Sequence, residues 1–384
     1  MEKSTVYLDH NASTTLLPQA AAAMADSYSL VGNPSSVHSH GRALRAKIDR
    51  ARTDIGVCSG ASRRDVVFTG SATEALTQAI IGGARAFDVN EIIVSGGEHM
   101  AVLSAAKATG LPVSLIKLES TGLIDLDDLC AHMARLEQVG NRALFGVHAV
   151  NGETGIVQPL VQIETKLGPS RHFLLIDAVQ AFGKIPLGFS ARTADMMAIS
   201  AHKIGGPAGI GALLMKPHCD DVRLIPGGGQ ELGRRGGTES WPLIAGFAAA
   251  AGQFAQNYDA DHVDVLVAAL EARLRELAPD VVIFGEGAPR IGNVVNFAVP
   301  GLESAVAMMG LDLEGVSVSS GSACSSGKVG RSHVLAAMGL APELSDCALR
   351  VSFGWPSSQR DLDIFCLAFA KVLARHRKAQ GQAA

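Results

Sequence analysis

The sequence has few cysteines, and none of them are grouped. Six cysteines are spread over 384 residues, and no two of them form a CxxC pair. The common structural zinc sites need such pairs, so the spacing indicates no zinc motif. Disulfide frameworks are typical of small secreted domains with little core, whereas this chain is long enough to bury a large core. The cysteines therefore favour a reduced compartment.

Long apolar runs and an excess of basic charge are also missing. No apolar run reaches the roughly 18 residues that would indicate a membrane-spanning helix. The N-terminal segment MEKSTVYLDHN contains no apolar core of a signal peptide. Lys and Arg number 33 against 37 Asp and Glu, which gives a net charge of −4. Because nucleic-acid binding depends on clustered cations, we do not expect nucleic acid as a partner. From the missing apolar runs we expect no membrane partner, and we predict a cytoplasmic protein.

The chain is rich in core-forming residues and in glycine. Hydrophobic residues make up 47% of it, and 42 residues are glycine. From about residue 40 to 255, short apolar runs alternate with helical segments, a pattern typical of βαβ units around a mostly parallel sheet. The predicted strands are 65–69, 91–95, 112–118, 143–150, 172–177 and 196–200, with helices at 73–86 and 99–109 among them.

A polar break at 258–264 separates this region from a smaller α/β region. There we expect a helix over 263–277, strands at 281–284, 294–299 and 348–353, and a closing helix over 360–375. The predicted fold class is α/β. It consists of a large domain, 15–257, and a small domain formed by 1–14 and 258–384.

Two of the predicted strands lead into residues that are typical of a cofactor site. Lys203 follows strand 196–200 in the segment SAHK, and Asp177 ends strand 172–177. In α/β sheets, ligands bind at the carboxyl ends of the strands. A partly desolvated lysine forms Schiff bases with aldehydes, and a buried carboxylate needs a partner such as a protonated pyridine nitrogen. Each residue alone has an ordinary structural explanation, but the pair is expected of pyridoxal phosphate enzymes.

Three further segments favour chemistry without excluding simpler roles. The turn TGSATE, with Ser71 before a helix, can bind phosphate through free backbone N–H groups or simply cap that helix. His99 could stack on a flat cofactor and move protons, or it could lie at an exposed helix start. Cys324 lies in the Ser/Gly-rich tract 319–330, which favours an exposed, reactive thiol over a packing thiol. The other cysteines lie in apolar or helical contexts.

Taken together, these segments resemble the cysteine desulfurases, which are pyridoxal phosphate enzymes of fold type I in the class V aminotransferase family. The resemblance covers nearly the whole chain. The segments that carry it are YLDHNA, GNPSSVH, TGSATE, GEHMAVL, NGETGIVQP, DAVQAFGKIP, SAHKIGGPAGIGAL, GGGQELGRRGGT and SSGSACSS. The SSGSAC form is similar to the group that supplies iron–sulfur assembly scaffolds.

The resemblance implies a pyridoxal phosphate site and the residues that form it. Lys203 would hold the cofactor as a Schiff base, Asp177 would pair with the pyridine nitrogen, and His99 would stack on the ring. The remaining implied contacts are Gln180 to the ring oxygen, Ala72, Thr73, Ser200 and His202 to the phosphate, and Thr238 to the phosphate of the neighbouring subunit in a homodimer.

The resemblance also implies the reaction, in which L-cysteine becomes L-alanine. Cys324 would attack the substrate sulfur and keep it as a persulfide for an acceptor such as an iron–sulfur scaffold. Lys203 would move the Cα proton, and Arg350 would bind the substrate carboxylate, with Asn33 and His38 as further substrate contacts. No metal site is expected, and Cys324 could contribute only one ligand to an iron–sulfur site shared with a scaffold.

Other functions are compatible with the same fold. A class V aminotransferase needs no thiol at position 324, whereas selenocysteine lyase activity stays open. The presence of Lys203, Asp177 and His99 together with Cys324 disfavours a protein that only docks partners. One departure from the family is Gly152, where an asparagine is common, and this is expected to place more of the ring-oxygen contact on Gln180.

Overall fold

The computed structural model describes residues 5–168, 170–320, 331–379 and 381. The β-strands are β1 Val6–Tyr7, β2 Val66–Thr69, β3 Glu91–Ser95, β4 Val113–Ile116, β5 Ala143–His148, β6 Phe173–Asp177, β7 Met196–Ser200, β8 Gly211–Met215, β9 Val282–Ile283, β10 Val294–Ala298, β11 Val316–Ser317, β12 Ser319–Ser320 and β13 Ala348–Ser352. The α-helices are α1 Pro18–Ser27, α2 Ser39–Ser59, α3 Ala72–Thr77, α4 Gly83–Ala86, α5 Met100–Ala108, α6 Leu126–Gln138, α7 Leu160–Leu167, α8 Trp241–Asn257, α9 Ala260–Leu277, α10 Ser304–Leu313, α11 His333–Ala337, α12 Pro342–Ser345 and α13 Gln359–Ala379. A π-helical stretch, Gln78–Gly82, joins α3 to α4. Within the described ranges, no helix has the length and apolar character needed to cross a lipid bilayer.

The central sheet has seven strands in the order β2-β8-β7-β6-β5-β3-β4. From β7 to β4 every neighbouring pair is parallel. Strand β8 runs antiparallel to both β2 and β7, so β2 points in the same direction as the parallel strands. The predicted α/β class with a mostly parallel sheet is confirmed, and the carboxyl ends of all strands except β8 lie along one edge.

Both faces of this sheet are covered, which explains the continuous apolar runs of its strands. Successive residues of a strand point to opposite faces. Accordingly Phe145 and Ile176 belong to one core cluster, and Leu144 and Leu175 belong to another on the opposite face. Since both sets of side chains are buried, the sheet is a rigid platform for the residues at its edge.

A second core involves both ends of the chain. A four-stranded antiparallel sheet has the order β12-β13-β10-β9, and β1 pairs with β11 in parallel. Val6 and Leu8 are buried together with Phe297, Phe365 and Phe369. The N-terminal segment therefore packs with C-terminal residues and leads from this core towards the edge of the central sheet.

One exposed turn is fixed by a buried ion pair. Glu231 and Leu232 have φ angles of 50° and 58°, a left-handed backbone conformation that residues other than glycine rarely adopt. The Glu231 carboxylate accepts hydrogen bonds from both terminal nitrogens of Arg52 and from the Phe68 N–H at 2.9 Å. These contacts hold the turn against α2 and β2, just before the segment RRGGT that carries Thr238.

Removing the charge of Glu231 is expected to destabilise the protein. In Glu231→Gln the buried guanidinium of Arg52 loses its main counter-charge and keeps the weaker ones of Asp49, 3.9 Å from its Nε, and of Glu239. Breaking a buried pair costs about 3–5 kcal/mol, and with Asp49 present we expect the lower end of that range in the free energy of unfolding. Urea unfolding at fixed protein concentration measures the loss.

The matched control is Glu276→Gln, which breaks an exposed pair with Arg273. This substitution should leave the unfolding transition in place, because exposed ion pairs contribute little. Equal effects of the two substitutions would contradict the role given to Glu231.

Candidate active site

A cavity of about 410 Å³ opens at the carboxyl edge of the central sheet, a size typical of small-molecule sites. It brings together most of the predicted site residues, although they are far apart in the sequence. The predicted residues that line it are Ala72, Thr73, His99, Asp177, Gln180, Ser200, His202, Lys203 and Arg350.

The sheet topology explains this convergence. Asp177 and Ser200 are the last residues of the adjacent parallel strands β6 and β7, so the chain leaves both strands at the same edge. His99 follows β3 at that edge, and Ala72 follows β2. Arg350 comes from β13 of the other sheet and also lines the cavity.

Asp177 is a buried carboxyl that faces the cavity. It accepts the Val179 N–H at 3.0 Å, and no side-chain donor among the described residues bonds to it. Burial raises its pKa, and the Glu98 charge raises it further, whereas His99 and His148 act in the opposite direction. A cationic or N–H-bearing ring atom in the cavity would satisfy this carboxyl.

Lys203 lies in a short 3-10 turn, Ala201–Lys203, directly after β7. Its amine donates hydrogen bonds to the carbonyl oxygens of Asn11 at 2.6 Å and Ala12 at 2.8 Å. The N-terminal segment thus holds the lysine side chain at the cavity wall. An amine placed in this way can reach an aldehyde carbon of a ligand in the cavity.

The start of α3 combines helix capping with cavity lining. The Ser71 hydroxyl accepts the Glu74 N–H at 3.1 Å, so the capping alternative is observed, and Ala72 and Thr73 still line the cavity. Gly211 of β8 passes so close that an added Cβ would lie 2.8 Å from the Ala72 nitrogen. Glycine at 211 therefore permits the approach of β8 to the turn, and backbone N–H groups at this helix start can receive a phosphate.

His99 lies at the exposed helix start considered for it and also lines the cavity. Its Nδ1 accepts the Ala101 N–H at 3.1 Å and caps α5, while its ring lines the cavity. The side chain is exposed to the open cavity, but the surrounding protein desolvates it and lowers its pKa. The Lys203 and His333 charges lower the pKa further, and Asp177 opposes them. The ring is therefore neutral near pH 7 and keeps its hydrogen on Nε2.

Gln180 and Gly152 are in close contact. The Gln180 amide nitrogen donates to the Asn11 carbonyl oxygen at 2.9 Å, and the amide oxygen accepts from the Lys184 amine at 3.2 Å. A side-chain amide has two N–H hydrogens, so one remains for a ligand. A Cβ at 152 would lie 3.2 Å from that nitrogen, so the glycine leaves room for Gln180 in this position.

Arg350 is almost completely buried, with 2% of its surface exposed. It donates to the Asp9 carboxylate at 2.7 Å and to the Gly152 carbonyl oxygen at 3.1 Å. Its Nε is buried, with no hydrogen-bond partner in the described part of the chain. Asp9 therefore already holds one end of the guanidinium, and a substrate carboxylate would bind beside it.

Three predicted contacts lie outside the cavity lining. Asn33, His38 and Thr238 are exposed. The Asn33 side chain accepts the Ser35 N–H at 2.8 Å, and His38 caps α2 through Gly41. Their roles toward substrate or a neighbouring subunit stay predictions. Cys324 lies outside the described residues.

The cavity also contains acids that the sequence analysis did not single out. Glu98 is fully buried and is bonded to His148 Nδ1 at 2.7 Å. Glu153 accepts a hydrogen bond from the Ser332 hydroxyl, and burial raises its pKa to about 7. The segments GEH and NGET carry both acids, but only their burial beside the cavity distinguishes them from surface residues.

These side chains fit pyridoxal phosphate. Asp177 needs a partner such as a ring N–H, Lys203 can reach an aldehyde, and the start of α3 offers backbone donors to a phosphate. The described residues include no group of three or more His, Cys, Asp or Glu suited to a metal.

The chain is similar to several known proteins over most of its length. Residues 6–365 match the family described as aminotransferase class-V. A curated cysteine desulfurase from Nostoc sp. is 35% identical, and the match covers 97% of this chain and 94% of that protein. The solved structure of a NifS-like protein from Rickettsia africae has a TM-score of 0.87 at 29% identity, covering 96% of this chain and 99% of that one. A structure described as SspA in complex with cysteine has a TM-score of 0.80 at 28% identity, covering 91% and 99% respectively.

Proposed function

We propose that this chain, which belongs to the aminotransferase class-V family and within it to the cysteine desulfurases, removes sulfur from L-cysteine. Pyridoxal phosphate would be its cofactor. The product is L-alanine, and the sulfur is kept as a persulfide on Cys324. The observation that carries the proposal is the presence of Lys203 and Asp177 at the ends of neighbouring strands in one cavity with Arg350.

The residues that would hold the cofactor surround the cavity. Asp177 would pair with the ring nitrogen, His99 would lie against the ring, and Gln180 would donate its remaining N–H to the ring oxygen. The phosphate would be bound by Ala72, Thr73, Ser200 and His202. When bound, the cofactor supplies an electron sink that weakens bonds at the substrate Cα.

The chain's own groups would handle the substrate and its protons. Arg350 would bind the carboxylate through charge-assisted hydrogen bonds while Asp9 keeps the guanidinium in place. Lys203 would take the Cα proton on its Nζ. His99 carries its hydrogen on Nε2, and this N–H would donate a hydrogen bond into the cavity.

Cys324 would act as the nucleophile towards the substrate sulfur. Its thiolate would form an S–S bond with the substrate Sγ, and the Cβ–Sγ bond would break with its electron pair remaining on carbon. Protonation at that carbon would yield alanine. The sulfur on Cys324 would then pass to an acceptor, for which we propose an iron–sulfur scaffold in the cytoplasm.

The direct test is product analysis with purified, cofactor-loaded protein. L-cysteine in the presence of excess dithiothreitol should give alanine and sulfide in equal amounts. Production of pyruvate, or transfer of the amino group to an oxo acid without sulfide, would contradict the proposal. A kcat/KM for L-selenocysteine far above that for L-cysteine would assign the chain to selenocysteine lyase activity instead.

The proposal includes a homodimer and two domains per protomer. The large domain would be 15–257, and 1–14 with 258–384 would form the small domain. Thr238 is exposed and does not line its own cavity, as expected if it reaches the phosphate of the partner subunit. The anchored turn at Glu231 would hold this segment in place.

Mixed dimers test the shared site. A dimer of one Lys203→Ala protomer and one Thr238→Ala protomer should contain one intact site, because the intact Lys203 and the intact Thr238 meet in the same cavity. The homodimer of Thr238→Ala should bind cofactor roughly tenfold or more weakly, since a hydrogen bond to a charged group is lost. If the mixed dimer has no site of normal affinity, Thr238 acts within its own subunit, and sedimentation as a monomer would exclude the shared site altogether.

A further inference from the structure

His333 lines the cavity, although neither the motifs nor the family resemblance assigned it a role. It is the first residue of α11 and is half-buried. Its Nε2 lies 2.7 Å from the carbonyl oxygen of Glu98. A histidine at the wall of a reaction cavity can exchange protons, so the protonation of its two nitrogens decides what it can do.

The contact with Glu98 determines the tautomer of the ring. A carbonyl oxygen only accepts hydrogen bonds, so Nε2 of His333 must carry the hydrogen. In the neutral ring Nδ1 is then the acceptor. No partner for Nδ1 is present in the described ranges of the chain, and this nitrogen is therefore able to take up a proton.

The other histidines of the cavity differ in this respect. His99 uses Nδ1 to accept the Ala101 N–H, so its Nε2 carries hydrogen and can only donate. His148 donates from Nδ1 to Glu98 and accepts at Nε2 from Gln158, so both of its nitrogens are engaged.

The orientation of the Gln158 amide is itself determined, because its oxygen accepts the Ile124 N–H and its nitrogen also donates to the Gly122 carbonyl oxygen.

His202 is a poor proton acceptor, since burial lowers its pKa to about 4.

The position of His333 is well defined. Ser332 accepts the Leu335 N–H at 3.0 Å and donates to the buried carboxyl of Glu153. Leu335 and Met338 are buried against Ile156. The start of α11 is therefore held from both sides, as positioning of an acid–base group requires.

We propose that His333 is the base that accepts a proton from the ammonium group of the bound amino acid. This inference rests on the proposed function, since an amino acid must present a free amine to react at an aldehyde-type carbon. One N–H bond of the ammonium group breaks, its electron pair stays on the nitrogen, and the proton moves to Nδ1 of His333. The resulting imidazolium keeps its Nε2–H bond to the Glu98 carbonyl oxygen.

Two variants separate this role from a structural one. His333→Gln places an amide N–H where Nε2 was, so it retains the donor to Glu98 but cannot accept a proton. His333→Ala removes both functions. Each variant is compared with the wild type for melting temperature and for the dissociation constant of pyridoxal phosphate, which the Gln variant should leave unchanged.

The decisive measurement is the rate of the cofactor's absorbance change on rapid mixing with an amino acid. L-cysteine and L-alanine are used in parallel, because only L-cysteine has a thiol. His333→Gln should slow the change about 10²-fold with both amino acids, in the range of general base catalysis. Added imidazole should restore part of the rate in His333→Ala.

The other possible outcomes of this rate measurement distinguish the proposal from its alternatives. A wild-type rate in His333→Gln overturns the proposal. Slowing with L-cysteine alone would place the base at the thiol and would also overturn the proposal. Weaker cofactor binding in His333→Gln, together with no rescue of His333→Ala by imidazole, would overturn it as well. If the wild type itself binds cofactor but shows no absorbance change with either amino acid, the proposed function has failed rather than the assignment of His333.

Discussion

Lys203→Ala is expected to abolish the covalent attachment of pyridoxal phosphate. Lys203 is the amine at the end of β7 that lines the cavity, where the Asn11 and Ala12 carbonyl oxygens hold it. Borohydride reduction of the wild type should add the cofactor mass to the peptide that contains Lys203. In the variant the visible absorbance of the linked cofactor should disappear, and turnover should fall by roughly three or more orders of magnitude.

Lys184 provides a demanding control for this assignment. Burial, with the Lys203 and Arg350 charges, lowers the pKa of Lys184 to about 7, so its amine is chemically competent to attack an aldehyde. It lies 3.2 Å from the Gln180 amide oxygen but does not line the cavity. Lys184→Met should therefore keep the borohydride-reducible link. Loss of the link in Lys184→Met, with its retention in Lys203→Ala, would reverse the two roles.

Cys324→Ser is expected to stop desulfuration while leaving cofactor binding intact. A hydroxyl is far less nucleophilic than a thiolate and cannot carry persulfide sulfur. Alanine production should fall by roughly three or more orders of magnitude. After turnover, the wild-type peptide that contains Cys324 should gain the mass of one or more sulfur atoms.

The described cysteines supply the control for Cys324. Burial raises the pKa of Cys58, Cys347 and Cys366, and raises that of Cys219 to about 12. Among the described cysteines Cys58 is the exposed one, so Cys58→Ser is the matched variant and should desulfurate normally. Sulfur found on the Cys58 peptide, or full activity in Cys324→Ser, would show that the Ser/Gly-rich tract was misinterpreted.

Local pattern predicted the position of several residues that line the cavity. Strands buried on both faces produce continuous apolar runs, and a residue that directly follows such a run must lie at the sheet edge. This pattern singles out Lys203, Asp177 and His99, and the structure brings all of them to one cavity.

Local pattern was less informative for strands that are defined by their tertiary contacts. Strand β8, with the sequence GALLM, has no alternation or flanking signal that separates it from a loop or a helix. Its antiparallel pairing with β2 and β7 follows only from the assembled sheet. The short strands β1 and β11 are defined by each other, although they lie at opposite ends of the chain.

By itself, the sequence determined the α/β class, the family and nine of the residues that line the cavity, because each depends on local periodicity or on contiguous motifs. Only the tertiary structure decided which groups can exchange protons there. The burial of Glu153, the contact of Arg350 with Asp9, and the tautomer of His333 depend on partners more than a hundred residues away. The physical reason is that desolvation and hydrogen bonding determine protonation, and both arise only when distant segments pack together.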